Sequence, residues 1–173
     1  NYCDHLGSAG NITIDKGFNS LDRFKFNNYN SIQNKAMNTR EDVLIQAMTG
    51  LGKTAASLLW SNNVQNEDKS KRIYYILPFT ASINSLYKDF LNRNISTTML
   101  HNKAEYFMDK LHDEYNYKLM KYSTKQLNIC TIFQLAKAIF SCKNFEMIIA
   151  QMKNSIIIVN RKACFSRWAN TGI

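Results

Sequence analysis

An α/β fold, a three-layer α/β/α sandwich around a parallel sheet, is predicted by three observations on the sequence. Short apolar runs at 42–46, 73–77, 97–100, 127–131 and 155–159 alternate with segments of helical length. The connections between runs are long enough for right-handed crossovers. The first run leads through Gln46-Ala47-Met48-Thr49-Gly50-Leu51-Gly52-Lys53-Thr54 into a helix-forming stretch, Ala55 to Trp60.

The elements follow in order. Residues 1–30 are rich in Asn, Gly, Ser and Asp, with apolar clusters only at 12–14 and 21–26. They read as a tail and linker before a domain of 31–173. A short helix is predicted at 31–37, a strand at 42–46 and a helix at 53–62. A polar loop occupies 63–71. The strand at 73–77 ends at Pro78, the only proline. In the helix predicted at 81–92, Ile83, Leu86, Tyr87 and Phe90 fall on one face. A strand at 97–100 precedes a long amphipathic helix at 103–122. A strand at 127–131, a helix at 132–141, a helical turn or two at 145–152 and a last apolar strand at 155–159 complete the series. There is no internal repeat and no long low-complexity segment.

The 173 residues suffice for one α/β domain with a sizeable core, not comfortably for two. The 22 Lys and Arg against 13 Asp and Glu give a formal net charge of +9, which suits a polyanionic partner or a solvated basic surface. Cys3, Cys130, Cys142 and Cys164 lack zinc-ligand spacing. Reduced thiols in the cytoplasm fit best. No apolar run approaches a membrane span, and no signal peptide is evident. The chain opens on Asn1 rather than Met, which reads as a fragment or a processed chain.

The loop at 47–54 is the richest in chemistry. Strand, Gly-containing loop, Gly-Lys-Thr and helix is the order that wraps backbone N–H groups around a nucleotide's phosphates. Small residues permit the close approach. Lys53 is placed to reach the β- and γ-phosphates and the Thr54 hydroxyl to ligate magnesium. Ala47 stands where the strict pattern has Gly.

Ligands of a parallel sheet sit beyond the carboxyl ends of its strands. There the sequence offers Thr80, Ser82 and Asn84 after the second run, His101 after the third, and Thr131 and Gln134 after the fourth. Singly, Thr80 or Ser82 reads as a helix cap. Together the set forms a row of hydrogen-bonding groups beside the phosphate loop, suited to a phosphodiester strand.

These segments resemble, in order, the helicase part of the CRISPR-associated helicase–nuclease of type I interference systems, a superfamily 2 DNA helicase. The likeness runs through the phosphate loop and Leu77-Pro78-Phe79-Thr80-Ala81-Ser82-Ile83-Asn84-Ser85-Leu86-Tyr87. It continues through Leu100-His101-Asn102-Lys103-Ala104, Ile129-Cys130-Thr131-Ile132-Phe133-Gln134-Leu135 and Asn154 to Val159. The segment Asp4 to Gly10 is similar to the end of that family's HD nuclease domain. The resemblance implies a RecA-like P-loop domain, incomplete, preceded at 1–30 by the tail of an HD-type domain. It implies ATP and magnesium at Thr49, Gly50, Gly52, Lys53 and Thr54, with Gln33 in the place of an adenine-reading glutamine. It implies single-stranded DNA along Thr80, Ser82, Asn84, His101, Thr131 and Gln134, and recruitment by a CRISPR effector complex.

The resemblance breaks after 159. The family's Asp-Glu-x-His box is replaced by Asn160-Arg161-Lys162-Ala163. Asn160 offers no carboxylate for the magnesium shell, and Arg161 inverts the charge of the group that activates water. Loss of a general base costs roughly 10²–10⁴ in rate. An arginine finger from a second RecA-like domain, worth roughly 10³–10⁵, is also outside this sequence. No catalytic residue is therefore assigned, and a truncated or frame-shifted gene product is the expected cause. Asp4 and His5 alone make no nuclease site. Three readings stay open: the ATP-binding part of a helicase, a remnant that holds ATP or nucleic acid without catalysis, and an unrelated P-loop ATPase or kinase.

Overall fold

The computed structural model describes residues 28–101, 125–140, 152–160 and 164–167. In chain order the elements are α1 (Ser31–Asn38), β1 (Val43–Leu44), α2 (Lys53–Gln65), β2 (Ile73–Ile76), α3 (Thr80–Asn92), β3 (Thr97–Leu100), β4 (Leu127–Cys130), α4 (Ile132–Ile139), β5 (Ile156–Val159) and β6 (Cys164–Arg167). The sheet order is β1-β6-β5-β2-β4-β3. Strands β5, β2, β4 and β3 are parallel neighbours, as the alternation of strands and helices predicts.

The parallel strands are apolar because both of their faces are covered. Ile73 and Tyr75 of β2 point into one core with Ile129, Ile156 and Ile158. Ala55, Leu58 and Trp60 of α2 and Ile83, Tyr87 and Phe90 of α3 close that face. Leu86 packs on it from its edge, so the apolar stripe expected of α3 is the buried one. Tyr74 and Ile76 point to the other face, where Leu135 of α4 and Met152 cover them. Helix α3 ends in a Schellman turn: Asn94 takes a positive φ of 54°, and Ile95 N donates to Phe90 O at 2.8 Å.

Several boundaries differ from the sequence expectation. Strand β1 has two residues rather than five, because Ile45 turns into the core and the chain starts to wrap the loop. Helix α2 runs past 62 to Gln65, where buried Val64 and a Gln65 Nε2 bond of 2.6 Å to Lys71 O extend it. The strand at 155–159 is not the last. Strand β6 follows and lies between β5 and β1, antiparallel to both. The strand before the phosphate loop therefore joins the sheet through an antiparallel partner. The helix expected at 103–122 and all but Met152 of the turns expected at 145–152 lie outside the described residues, as do residues 1–27 and Arg161 to Ala163.

Candidate functional site

The phosphate loop is built as its sequence requires. Gly50 and Gly52 adopt positive φ of 90° and 73°, the region that costs an L side chain most. Gly52 is the N-cap of α2, and no side chain caps that end. The 13-residue helix thus presents uncapped N–H groups and the positive end of its dipole to the cleft. A cleft of about 700 Å³ opens there, lined by Gln46, Ala47, Thr49, Gly50, Gly52, Lys53, Thr54 and Asn160. Among the described residues of that lining Lys53 alone is charged, so this part of the cleft favours an anion. Its Nζ donates to Ala47 O at 2.9 Å and Met48 O at 2.8 Å. The ammonium is held by the carbonyls of the loop it serves.

Helix α1 braces this loop from behind. Asn30 and Gln33 form a reciprocal capping box, with Gln33 N donating to Asn30 Oδ1 at 2.9 Å and Asn30 N to Gln33 Oε1 at 3.1 Å. Asn30 Nδ2 donates to Leu51 O at 3.1 Å. Gln33 is buried, and its Nε2 lies 2.6 Å from where a Cβ on Gly52 would stand. Gln33 therefore packs against the glycine that turns into α2 and does not line the cleft. On the other flank, Trp60 Nε1 donates to Glu41 O at 3.0 Å and fixes the approach to β1.

Tyr75 of β2 lies beneath the cleft, and the sequence reading missed it. Its hydroxyl accepts from Asn160 Nδ2 at 2.9 Å and sits 3.4 Å from Ser57 Oγ, with the Thr54 hydroxyl also in hydrogen-bond reach. Burial pushes the phenol above its ordinary 10.0, so it stays protonated. Asn160 N donates to Ile76 O at 2.9 Å, which continues the β5–β2 ladder by one step and sets the side chain on the cleft wall. A signal for Tyr75 existed: β2 carries two tyrosine hydroxyls between isoleucines, and Tyr75 is the one nearer its carboxyl end.

The cleft fits a nucleotide's phosphates. It offers a left-handed glycine turn, an uncapped helix start, an ammonium and the Thr54 hydroxyl. For magnesium it offers the Thr54 hydroxyl and the neutral Asn160 amide, with no carboxylate among the described lining residues. Among the described residues no group of three or more His, Cys, Asp or Glu could hold a metal, and no helix is long and apolar enough to cross a membrane.

The strand-end row is brought onto one edge. Ile76, Cys130 and Leu100 are register partners, and Ile76 pairs Val159. His101, Thr131 and Asn160 are thus each one step past the same line. The row is not uniform. Thr80 and Ser82 are exposed, Asn84 and Gln134 half-buried, and His101 and Thr131 buried. Neither Thr80 nor Ser82 caps α3: its N-cap is Phe79, which supplies no side-chain bond. His101 Nε2 bonds Asn84 Oδ1 at 2.9 Å, and burial holds the imidazole below its ordinary 6.5. With that shift the ring is neutral and donates from Nε2.

Comparison with known proteins bears on this geometry. The family description DEAD/DEAH box helicase matches residues 30–158, from the Asn30 cap of α1 through nearly all of β5. No curated protein and no solved structure gives a significant match. That family's domains bind ATP, typically with magnesium, and act on nucleic acids. The match spans most of the chain and includes the phosphate cleft, the strand ends and the parallel sheet that carries them; the chain belongs to the DEAD/DEAH box helicase family.

Proposed function

We propose that residues 31–173 are the ATP-binding, first RecA-like domain of an ATP-dependent single-stranded DNA translocase of the CRISPR type I helicase–nuclease kind. In this reading residues 1–30 are the end of an HD-type domain and its linker. The observation that carries the proposal is the phosphate cleft with Lys53 and Thr54 on the same sheet edge as the strand-end row, and its turnover is qualified by Asn160 on the cleft wall, at the end of the strand next to β2. Asn160 puts a neutral amide where an ATPase of this family needs a carboxylate. The site therefore holds nucleotide and has little turnover of its own.

The residue roles follow the geometry. Thr49, Gly50, Gly52 and Lys53 take the phosphates, and Thr54 takes the magnesium. Gln33 acts through Gly52, as a brace on the loop rather than a direct contact to the base. Exposed Thr80 and Ser82, with Asn84 and Gln134, contact the DNA strand, and buried His101 and Thr131 support them. A CRISPR effector complex in the cytoplasm is the expected recruiting partner. The order of the strand-end segments and the formal charge of +9 support the nucleic-acid half of this reading. Family membership removes the unrelated P-loop ATPase or kinase. A remnant that holds its ligands without serving a helicase remains the second reading, and Asn160 favours it equally.

The test is a titration with a fluorescent ATP analogue and with single-stranded DNA, using Lys53→Ala as control, together with a steady-state ATPase assay. Expected are magnesium-dependent nucleotide binding that Lys53→Ala abolishes, DNA binding, and hydrolysis at background. Hydrolysis above background that disappears in Lys53→Ala refutes the loss of turnover. Binding of neither ligand refutes the whole reading.

A further inference from the structure

Two aromatic rings are exposed at the carboxyl edge of the sheet. Phe79 is 68% exposed and Phe133 is 68% exposed, and Ile132 beside the latter is 50% exposed. Trp60, Tyr74, Tyr75, Tyr87 and Phe90 are essentially sealed, while Met48 in the phosphate loop and Phe140 past the end of α4 are also exposed. Phe79 and Phe133 differ from those in standing at the ends of two neighbouring strands, beside hydrogen-bonding groups.

Their positions follow from topology. Phe79 is the N-cap of α3, directly after β2, and Phe133 lies in the first turn of α4, directly after β4. Strands β2 and β4 are register neighbours. Helix α3 covers one face of the sheet and α4 the other. The rings thus flank the strand-end line from its two sides. Next to Phe79 come the exposed Thr80 and Ser82, and next to Phe133 comes Gln134. An aromatic face beside hydrogen-bonding groups, on a chain of net charge +9, matches the needs of an unpaired polynucleotide. The polar groups and the charge suit phosphodiesters, and the rings suit bases.

We propose that Phe79 and Phe133 form a base-stacking platform that selects single-stranded nucleic acid through its unpaired bases. This rests on the strand-end row being a nucleic-acid track, and it adds a contact to bases where the row alone addresses the backbone. Stacking tolerates any base, so the platform distinguishes unpaired from paired strands without reading sequence. A protein partner on the same rings is the competing occupant. The neighbouring hydroxyl and amide groups favour the polynucleotide.

Fluorescence anisotropy on the full 173-residue chain tests this, with a labelled oligothymidylate and an abasic oligomer of equal length and charge. The wild type should bind the thymidylate more tightly. Phe79→Ala and Phe133→Ala should each weaken thymidylate binding roughly 5- to 150-fold and leave abasic binding unchanged. Phe79→Leu and Phe133→Leu should lose nearly as much, since leucine keeps apolar bulk without a π-face. Both sites are exposed, so unchanged circular dichroism and melting should accompany the loss. Equal wild-type affinity for the two oligomers overturns the platform but leaves the track. Thymidylate binding unaffected by the four variants, or retained in the leucine pair, also overturns the platform. Binding of neither oligomer overturns the track and the platform with it.

Discussion

The side-chain amide of Asn160 donates to the hydroxyl of Tyr75 at 2.9 Å, across 85 residues of sequence. This contact ties the end of β5 to the strand beneath the phosphate loop. Nδ2 is turned to the phenol, so Oδ1 is the atom left for the cleft. Tyr75 also meets Thr54 and Ser57, so one buried hydroxyl supports the start of α2 and the wall opposite it.

Tyr75→Phe removes that shared partner while keeping the ring. It leaves the Asn160 N–H without its acceptor and should destabilise the fold by about 1–3 kcal/mol, toward the lower end because Asn160 is half-buried and water can reach it. Urea unfolding with an unchanged m-value checks the size. Nucleotide affinity should fall with it, because Thr54 loses a positioning contact.

Asn160→Asp returns a carboxylate to the cleft wall. A carboxylate that orders the waters around magnesium should raise the magnesium dependence of nucleotide binding roughly tenfold or more. Titration of a fluorescent ATP analogue with magnesium and with EDTA measures this. Hydrolysis should stay at background, because the variant restores no base to activate water. An unchanged magnesium dependence would mean that residue 160 does not face the metal's waters.

The two loop glycines should respond differently to alanine. At Gly50 (φ of 90°) an added Cβ meets nothing within 4 Å, so only the backbone conformation opposes it, at about 1–2 kcal/mol. At Gly52 (φ of 73°) the same Cβ would stand 2.6 Å from Gln33 Nε2, so the buried amide end of Gln33 must shift and its bond to Asn30 N is strained. Gly52→Ala should therefore cost roughly 1–3 kcal/mol more than Gly50→Ala. Adding Gln33→Ala to Gly52→Ala should recover part of the excess, and a double-mutant cycle by thermal unfolding measures the coupling.

His101 should make stability fall on acidification. Burial holds its folded pKa below the ordinary 6.5, so the unfolded chain binds the proton more readily. The contribution is fully present above 6.5 and is lost as pH falls below it toward the depressed folded value. Urea midpoints between pH 7.5 and 5.5 should drop more steeply in the wild type than in His101→Gln. That comparison cancels the other two histidines, His5 and His112.

The four parallel strands were legible because burial on both faces writes them as continuous apolar runs, and they match the structure to within a residue at either end. The amphipathic stripe of α3 was legible for the same reason of period. Strand β6 was not. Cys164-Phe165-Ser166-Arg167 carries no strong periodicity, and its place is set by unpaired edges of β1 and β5 that only the assembled sheet presents. The phosphate loop was read directly, since its backbone demands small residues at fixed positions. The hydroxyl of Tyr75 was not, because a tyrosine in an apolar strand reads as core until the position of residue 160 is known. Gln33 was assigned to the adenine by resemblance alone; its capping box with Asn30 and its packing on Gly52 are contacts that only the structure gives.

The antiparallel insertion of β6 has a consequence for how the molecule forms. Strand β1 has no sheet partner among the described residues except β6, and that pairing joins Val43 to Phe165 across more than a hundred residues. During synthesis β1 leaves the ribosome long before the strand that will seat it. Until then the loop that grips phosphate is held only by the helices around it. High contact order of this kind delays closure. The nucleotide cradle thus depends on one of the longest-range pairings in the domain, and a ligand that binds it would stabilise the closed state of that pairing.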